Sequence, residues 1–202
     1  MPRPEEAPHR LDLLVAGHVN LDHFLRVERM PTMDRTVPLT GRSTSLGGTA
    51  GTIARSAARA EVRVGLVGRL GEDFPSEFLE TFRREGVDTS GLEIVPGELS
   101  PACYIFEDGR GHQMTAIHQG PMGDARGAKV PESLLDDAGW LHLTTGPPHY
   151  QLRLKAAARR RGLRVAVDPA QEIHYLWSRE PLEKLLDGAE IVFGNRSEIS
   201  RI

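Results

Sequence analysis

The chain has 202 residues, enough for one good-sized core or one core with a small appendage. Its 39% hydrophobic and 26% charged residues match an ordinary globular domain, which argues against disorder. A net charge of −3 leaves no electrostatic footprint for a nucleic acid or an anionic membrane, and the basic run Arg159, Arg160, Arg161 reads as the solvent-facing end of a helix.

Cys103 is the only cysteine, so no intrachain disulfide forms, as expected in a reducing cytoplasm. It lies in the apolar run Ala102 to Phe106, where a buried structural thiol is expected rather than a nucleophile. Residues 1–10 are polar and proline-bearing. They are expected to be flexible, and they lack the apolar stretch of a signal peptide. No run approaches the roughly 20 apolar residues of a membrane helix. The expectation is a soluble, cytoplasmic protein with no membrane or nucleic-acid partner.

Along the chain, short apolar runs alternate with helical patterns. Leu11 to Ala16 reads as a buried strand closed by Gly17. Thr52 to Ala60 has helical composition, and Val62 to Val67 reads as a second strand. Phe74, Phe78, Leu79 and Phe82 recur at helical spacing between Phe74 and Glu85, with Gly86 as the stop. Trp140 to Leu143, Arg164 to Val167 and Glu190 to Phe193 read as three further strands. Helices are expected at Tyr150 to Arg161 and Pro181 to Leu186. Such alternation implies parallel strands with right-handed crossovers and helices on both faces, an α/β class whose ligands bind at the carboxyl ends of the strands.

Two stretches break the alternation. His23 to Val27 with Val37 to Arg42 reads as extended and half-polar. Cys103 to Glu107 and Gln113 to His118 read as a hairpin joined through Asp108-Gly109-Arg110-Gly111. Four such strands, within about residues 23–42 and 102–118, predict a small sheet acting as a lid over the strand ends.

The first strand leads into Gly17-His18-Val19-Asn20-Leu21-Asp22. In an extended segment Asn20 and Asp22 share one face, and an amide beside a carboxylate offers the donors and acceptors that a pair of sugar hydroxyls needs. The same pair is also common turn chemistry. Leu46-Gly47-Gly48-Thr49-Ala50-Gly51-Thr52 opens a helix whose glycines admit a ligand close to the backbone. It is neither a P-loop nor a dinucleotide fingerprint, which disfavours an oxidoreductase. Asn195 and Glu198 stand three apart at a helix start. That spacing suits a capping box and equally the water shell of Mg²⁺. None of the eight histidines shows metal-ligand spacing on a helix; His18 and His23, flanking the Asn-x-Asp pair, are expected to be solvent-facing or satisfied.

The order of these features is more specific than any one of them. Asn-x-Asp, an extended excursion and Gly-Gly-x-x-Gly are followed by Val64-Gly65-Leu66-Val67-Gly68-Arg69-Leu70-Gly71-Glu72-Asp73-Phe74 and by Glu85-Gly86-Val87-Asp88. This succession resembles the ribokinase-like (PfkB) family of sugar and nucleoside kinases from Leu11 to the last residue. The resemblance implies a single domain over residues 11–202, a three-layer α/β/α fold with a β-sheet lid, and the absence of the fold's C-terminal part. It implies ATP and Mg²⁺ as cofactors, a sugar or nucleoside as substrate, and pairing of two copies through the lid.

By the same resemblance Asn20 and Asp22 hold substrate hydroxyls, and Gly47 and Gly48 offer backbone N–H groups to the sugar ring. Thr52 stands where the family usually has Asn. Thr145 lines the inner wall, Asp168 resembles the nucleoside-kinase branch, and Asn195 with Glu198 serves Mg²⁺ through water. The family's catalytic aspartate belongs to a late Gly-Ala-Gly-Asp motif that does not occur here, so no catalytic residue is assigned and the isolated chain is expected to be inactive. A non-catalytic sugar- or nucleoside-binding remnant is the alternative.

Overall fold

The computed structural model describes residues 10–202, so the flexible segment expected at residues 1–10 lies, apart from Arg10, outside the described residues. Arg10 is tied down by ion pairs of 3.0 Å to both Asp88 and Asp137.

The first strand, β1 (Leu11–Ala16), is the centre of a six-stranded sheet, where Leu14, Val15 and Ala16 are wholly buried. A continuous apolar run forms such a strand because both of its faces are covered. On one side it pairs with β4 (Val64–Gly71), which in turn pairs with the edge strand β5 (Val87–Val95). On the other side lie β8 (Ala138–Leu143), β9 (Arg164–Val167) and the short β10 (Ile191–Val192). Every pairing in this sheet is parallel, as the alternating pattern predicts.

Helices α1 (Thr49–Arg59) and α2 (Ser76–Arg84) cover one face over β1, β4 and β5. The small residues Ala50, Gly51 and Ala54 let α1 sit close enough that Phe82 of α2 packs beside it, fully buried. Arg55 grips Glu85 with two bonds of 2.7 and 2.8 Å, joining the two helices and holding that carboxyl down at about 2. The opposite face is covered by α3 (Glu132–Asp136), α4 (Pro148–Arg160) and α5 (Arg179–Leu186). The arginines ending α4 do not form a free patch: Arg161 pairs with Glu132 and Asp136, and Arg159 with Asp187. On the α1 side, no described helix covers β8 to β10, leaving an apolar groove lined by Trp140, His142, Ile191 and Phe193.

The second sheet has four strands in the order β3 (Leu39–Gly47), β2 (Asn20–Val27), β6 (Ala102–Asp108) and β7 (Gln113–His118). It is the predicted small sheet, but its first two strands reach further than expected, from Asn20 and to Gly47. Both ends therefore run into the candidate site. The turn between β6 and β7 joins the expected hairpin. Its positive φ falls on Gly111 (85°) rather than on the glycine after Asp108, whose carboxylate accepts from the Arg110 and His112 amides.

Other departures are local. Helix α1 begins at Thr49, three residues early, and β4 starts at Val64, because Ala60 and Glu61 form a turn after the helix. Strand β5 and the single-turn α3 have no counterpart in the predicted pattern. Among the described residues no helix is long and apolar enough to cross a membrane.

Candidate functional site

The carboxyl ends of β1, β8 and β9 meet the lid sheet around a cleft of about 720 Å³. Open parallel sheets place their ligand sites there, because loops diverge at the strand ends.

Asn20 and Asp22 open β2 and both line the cleft. Across the antiparallel pair Asn20 stands opposite Gly47 and Asp22 opposite Ser45. The fit at Gly47 is so close that a Cβ there would lie 1.9 Å from Asp22 Oδ2. Gly48 has φ +84°, and its Cβ would lie 2.5 Å from the His18 carbonyl, so both its conformation and its neighbours demand glycine. That carbonyl accepts the amides of Ala50 (3.1 Å) and Gly51 (3.4 Å), which pins the start of α1 to the loop after β1. Two of the helix's free donors are thereby used, while the amides of Gly48 and Thr49 have no backbone acceptor among the described residues.

The polar atoms at this end are poised rather than satisfied. Asn20 is 5% exposed and donates to Cys103 Sγ at 3.2 Å, leaving its buried Oδ1 without a partner. Asp22 Oδ1 is likewise buried and unpartnered. Burial raises the Asp22 carboxyl, against the lowering effect of Cys103 and His23. Cys103 is half-buried in the same cleft, and burial followed by the neighbouring Asp22 pushes its thiol up to about 11. Such a thiol is protonated and unreactive at neutral pH, as expected for a non-nucleophile.

Thr52, exposed on α1, and Thr145, after β8, line the cleft, and Thr145 Oγ1 is buried without a partner. Asp168 follows β9 and serves two ends at once. Its Oδ1 accepts the Ala170 amide at 3.1 Å, the turn role, while the residue also lines the cleft. Burial raises its carboxyl, helped by the charge of Glu198.

Asn195 caps α6 (Arg196–Ile199) in a complete capping box. Its side chain accepts the Glu198 amide at 3.0 Å, and Glu198 accepts the Asn195 amide at 2.7 Å. Glu198 is buried and also reaches the cleft, whereas Asn195 is exposed and does not line it.

Sequence reasoning missed a second polar group in the same cleft. His18 is 2% exposed, neither solvent-facing nor satisfied: neither ring nitrogen has a hydrogen-bond partner. Burial drops it to about 4, opposed by the nearby Thr145 backbone and the Gln119 amide. Its neighbour Glu172 is 2% exposed and accepts the Gly146 amide at 2.5 Å and Gln119 Nε2 at 3.4 Å. Burial lifts this carboxyl to about 7. His18 Nδ1 and Glu172 Oε1 stand 3.7 Å apart, too far for a hydrogen bond, and both groups favour their neutral forms. Gln119 also reaches the Tyr175 hydroxyl at 3.3 Å. His23, by contrast, is satisfied as expected, bonded to Thr44 Oγ1 at 2.9 Å and stacked on Tyr104.

This architecture, a parallel sheet with helices on both faces and a four-stranded lid, is shared with solved kinases. Over 96% of this chain it superposes on the crystal structure of Methanocaldococcus jannaschii nucleoside kinase with a TM-score of 0.82, at 21% identity and over 64% of that chain. Residues 10–202 match the family model described as pfkB family carbohydrate kinase, and the chain belongs to that family. The chain is 30% identical to a nucleoside kinase of Methanothermobacter thermautotrophicus over 95% of its length and 62% of the relative's. It is 34% identical to a cytidine kinase of Thermococcus kodakarensis over 93% of its length and 63% of that protein. An ATP-dependent ribose-1-phosphate kinase of Halopiger xanaduensis is 29% identical over 94% of this chain and 63% of that protein. The chain thus spans a little over three-fifths of the length of these relatives.

Proposed function

We propose that this chain supplies the acceptor-binding part of an ATP-dependent kinase that phosphorylates a hydroxyl of a sugar or nucleoside. The observation that carries the reading is the meeting of Asp22 with Gly47. A carboxylate with an unpartnered oxygen stands against bare backbone, beside the unpartnered Asn20 Oδ1, at the carboxyl ends of the strands. Hydroxyls of a sugar satisfy those acceptors, and glycine lets the ring lie against the chain. Thr52, Thr145 and Asp168 line the remaining wall. The names of the relatives support the class, ranging from nucleoside and cytidine kinases to a ribose-1-phosphate kinase.

Phosphoryl transfer needs a base for the attacking hydroxyl, a metal to gather phosphate charge and donors for the transferring group. For the metal, Glu198 and Asp168 are two hard oxygen donors, and the charge of Glu198 helps to raise the Asp168 carboxyl. Among the described residues no cluster of three metal-ligating side chains forms, so these residues fit a water-held Mg²⁺ rather than a protein cage. Glu198 and Asp168, with Asn195 fixing Glu198 through the cap, would hold the ion's water shell. The metal there would neutralise the phosphates of ATP. No base is assigned to the described residues, so the 202-residue chain is expected to bind its acceptor without turning it over.

Calorimetry of the purified chain against a sugar and nucleoside panel, with a parallel phosphotransfer assay in ATP and Mg²⁺, tests both parts. Asp22→Ala should abolish acceptor binding. Unchanged binding in that variant sinks the site assignment, and brisk turnover by the unaltered chain sinks the claim of inactivity.

A further inference from the structure

Glu172 lines the cleft, yet both of its carboxyl oxygens are taken up by the protein itself. Oε2 accepts the Gly146 amide at 2.5 Å, and Oε1 accepts Gln119 Nε2 at 3.4 Å. The two donors come from different parts of the fold. Gly146 follows Thr145 in the loop after β8, whereas Gln119 is the first residue beyond β7, where the chain leaves the second sheet. Keeping a carboxyl 2% exposed is unfavourable, because burial penalises its charge. The link it makes must offset that cost.

Each end of the link is built to transmit position. Glu172 sits in the 3₁₀ turn Ala170–His174, which is anchored by the wholly buried Ile173 and by the Leu176 amide, donating to the Glu172 carbonyl at 2.8 Å. At Gly146 a Cβ would lie 2.5 Å from Gln151 Nε2, and the same Nε2 donates to the Thr145 carbonyl at 3.1 Å, so residues 145 and 146 are held from two sides. Beyond Gln119, Gly120 passes the start of β6 so closely that its Cβ would lie 2.6 Å from the Leu99 carbonyl. That entry to the second sheet is tied separately, by the Ser100 amide donating to Asp73 Oδ1 at 2.7 Å. The exit strand β7 is exposed along its whole length, and the Gln119 amide ties its end to Glu172 and to the Tyr175 hydroxyl at 3.3 Å.

The two walls so connected carry unpartnered polar atoms of the cleft, Asp22 Oδ1 on the second sheet and Thr145 Oγ1 after β8. Resting on the reading that an acceptor lies in this cleft against Asp22, and deepening it, we propose that Glu172 is the positioning residue of the cleft. It touches no ligand. Through Gln119 and Gly146 it sets the spacing between the second sheet and the Thr145 wall, so that one acceptor meets Asp22 and Thr145 together. Binding groups need second-layer support of this kind, since a misplacement of about 1 Å costs on the order of a hundredfold in a reacting site.

The experiment compares Glu172→Ala and Glu172→Gln in the 202-residue chain, by calorimetry with ribose and cytidine and by amide hydrogen exchange. Glutamine keeps an oxygen for the Gly146 amide, and its NH₂ can donate to the unpartnered Gln119 Oε1 once that amide turns over. Glu172→Gln should therefore bind within about threefold of the unaltered chain. Glu172→Ala should bind about tenfold or more weakly, with faster exchange at Gly146 and unchanged protection in β1. A loss in Glu172→Gln as large as in Glu172→Ala overturns the proposal, because the carboxylate itself would then meet the ligand. Gly146 exchange no faster in Glu172→Ala overturns it too. Where Glu172→Ala does not fold, Gln119→Ala, at a half-buried position, cuts the tie to β7 alone. It should weaken binding about threefold or more with Gly146 protection unchanged, and unaltered affinity overturns the proposal. Binding that Asp22→Ala abolishes and Glu172→Ala leaves alone removes the positioning role and spares the acceptor site. Binding that neither variant touches, or no binding by the unaltered chain, overturns both.

Discussion

The buried pair His18 and Glu172 predicts how stability responds to pH, and one substitution isolates it. Burial lifts Glu172 from 4.5 to about 7 and drops His18 from 6.5 to about 4. In the unfolded chain both groups return to their ordinary values. Glu172, raised on folding, contributes stability that is fully present below 4.5 and lost as pH rises through about 7. His18, lowered on folding, contributes stability that is present above 6.5 and lost as pH falls through about 4. Across the overlap, from 4.5 to 6.5, the unfolded chain carries one proton on His18 and the folded protein one on Glu172, so the pair adds no slope.

Glu172→Gln removes one side of that balance while keeping acceptors for the Gly146 and Gln119 groups. His18 then acts alone, and the variant gains stability as pH rises. At about 1.4 kcal/mol for each pH unit between the folded and unfolded values, the variant should gain about 3 kcal/mol on the unaltered protein between pH 4.5 and about pH 8. Urea unfolding at several pH values measures this directly. Parallel stability profiles for the two proteins would refute the reasoning, because they would mean that Glu172 titrates normally when folded.

Three further outcomes follow from single contacts. Gly47→Ala should cost about 1–3 kcal/mol by overpacking and weaken acceptor binding about tenfold or more, since its Cβ would displace Asp22 Oδ2; unaltered calorimetry would show that Asp22 can move freely. Lys155, 3% exposed, donates to the carbonyls of Lys184, Leu185 and Asp187, so Lys155→Met should lose about 2 kcal/mol or more in urea unfolding by orphaning them; a neutral result would place water there. Cys103, lifted to about 11 from 9, should react with iodoacetamide at about pH 8 roughly 100-fold more slowly than an exposed thiol, and Asp22→Asn should speed it; an ordinary rate would contradict its burial.

Much of the main sheet was legible because its strands are buried on both faces and therefore read as unbroken apolar runs. The runs Leu11 to Ala16 and Arg164 to Val167 appear in the structure with those bounds. Strand β5 was not legible. It is an edge strand, half-exposed and interrupted by Gly91, so neither continuity nor clean alternation marks it. Helix α3 is one turn long, too short to show a helical period. The α1 start was misplaced because glycine and threonine carry little helical signal, and the helix begins there through tertiary bonds to the His18 carbonyl.

The amino-acid sequence by itself determined the alternating architecture, the small second sheet and the cleft residues Asn20, Asp22 and Gly48, because backbone periodicity and glycine's missing side chain are local properties. Only the tertiary structure decided that His18 and Gln119 both come to lie against Glu172. They lie up to 154 positions apart (172 − 18) on loops with no common motif. The shift of His18 and Glu172 toward their neutral forms has the same origin: it arises from loss of water around each side chain, a quantity that exists only once the chain has closed over them.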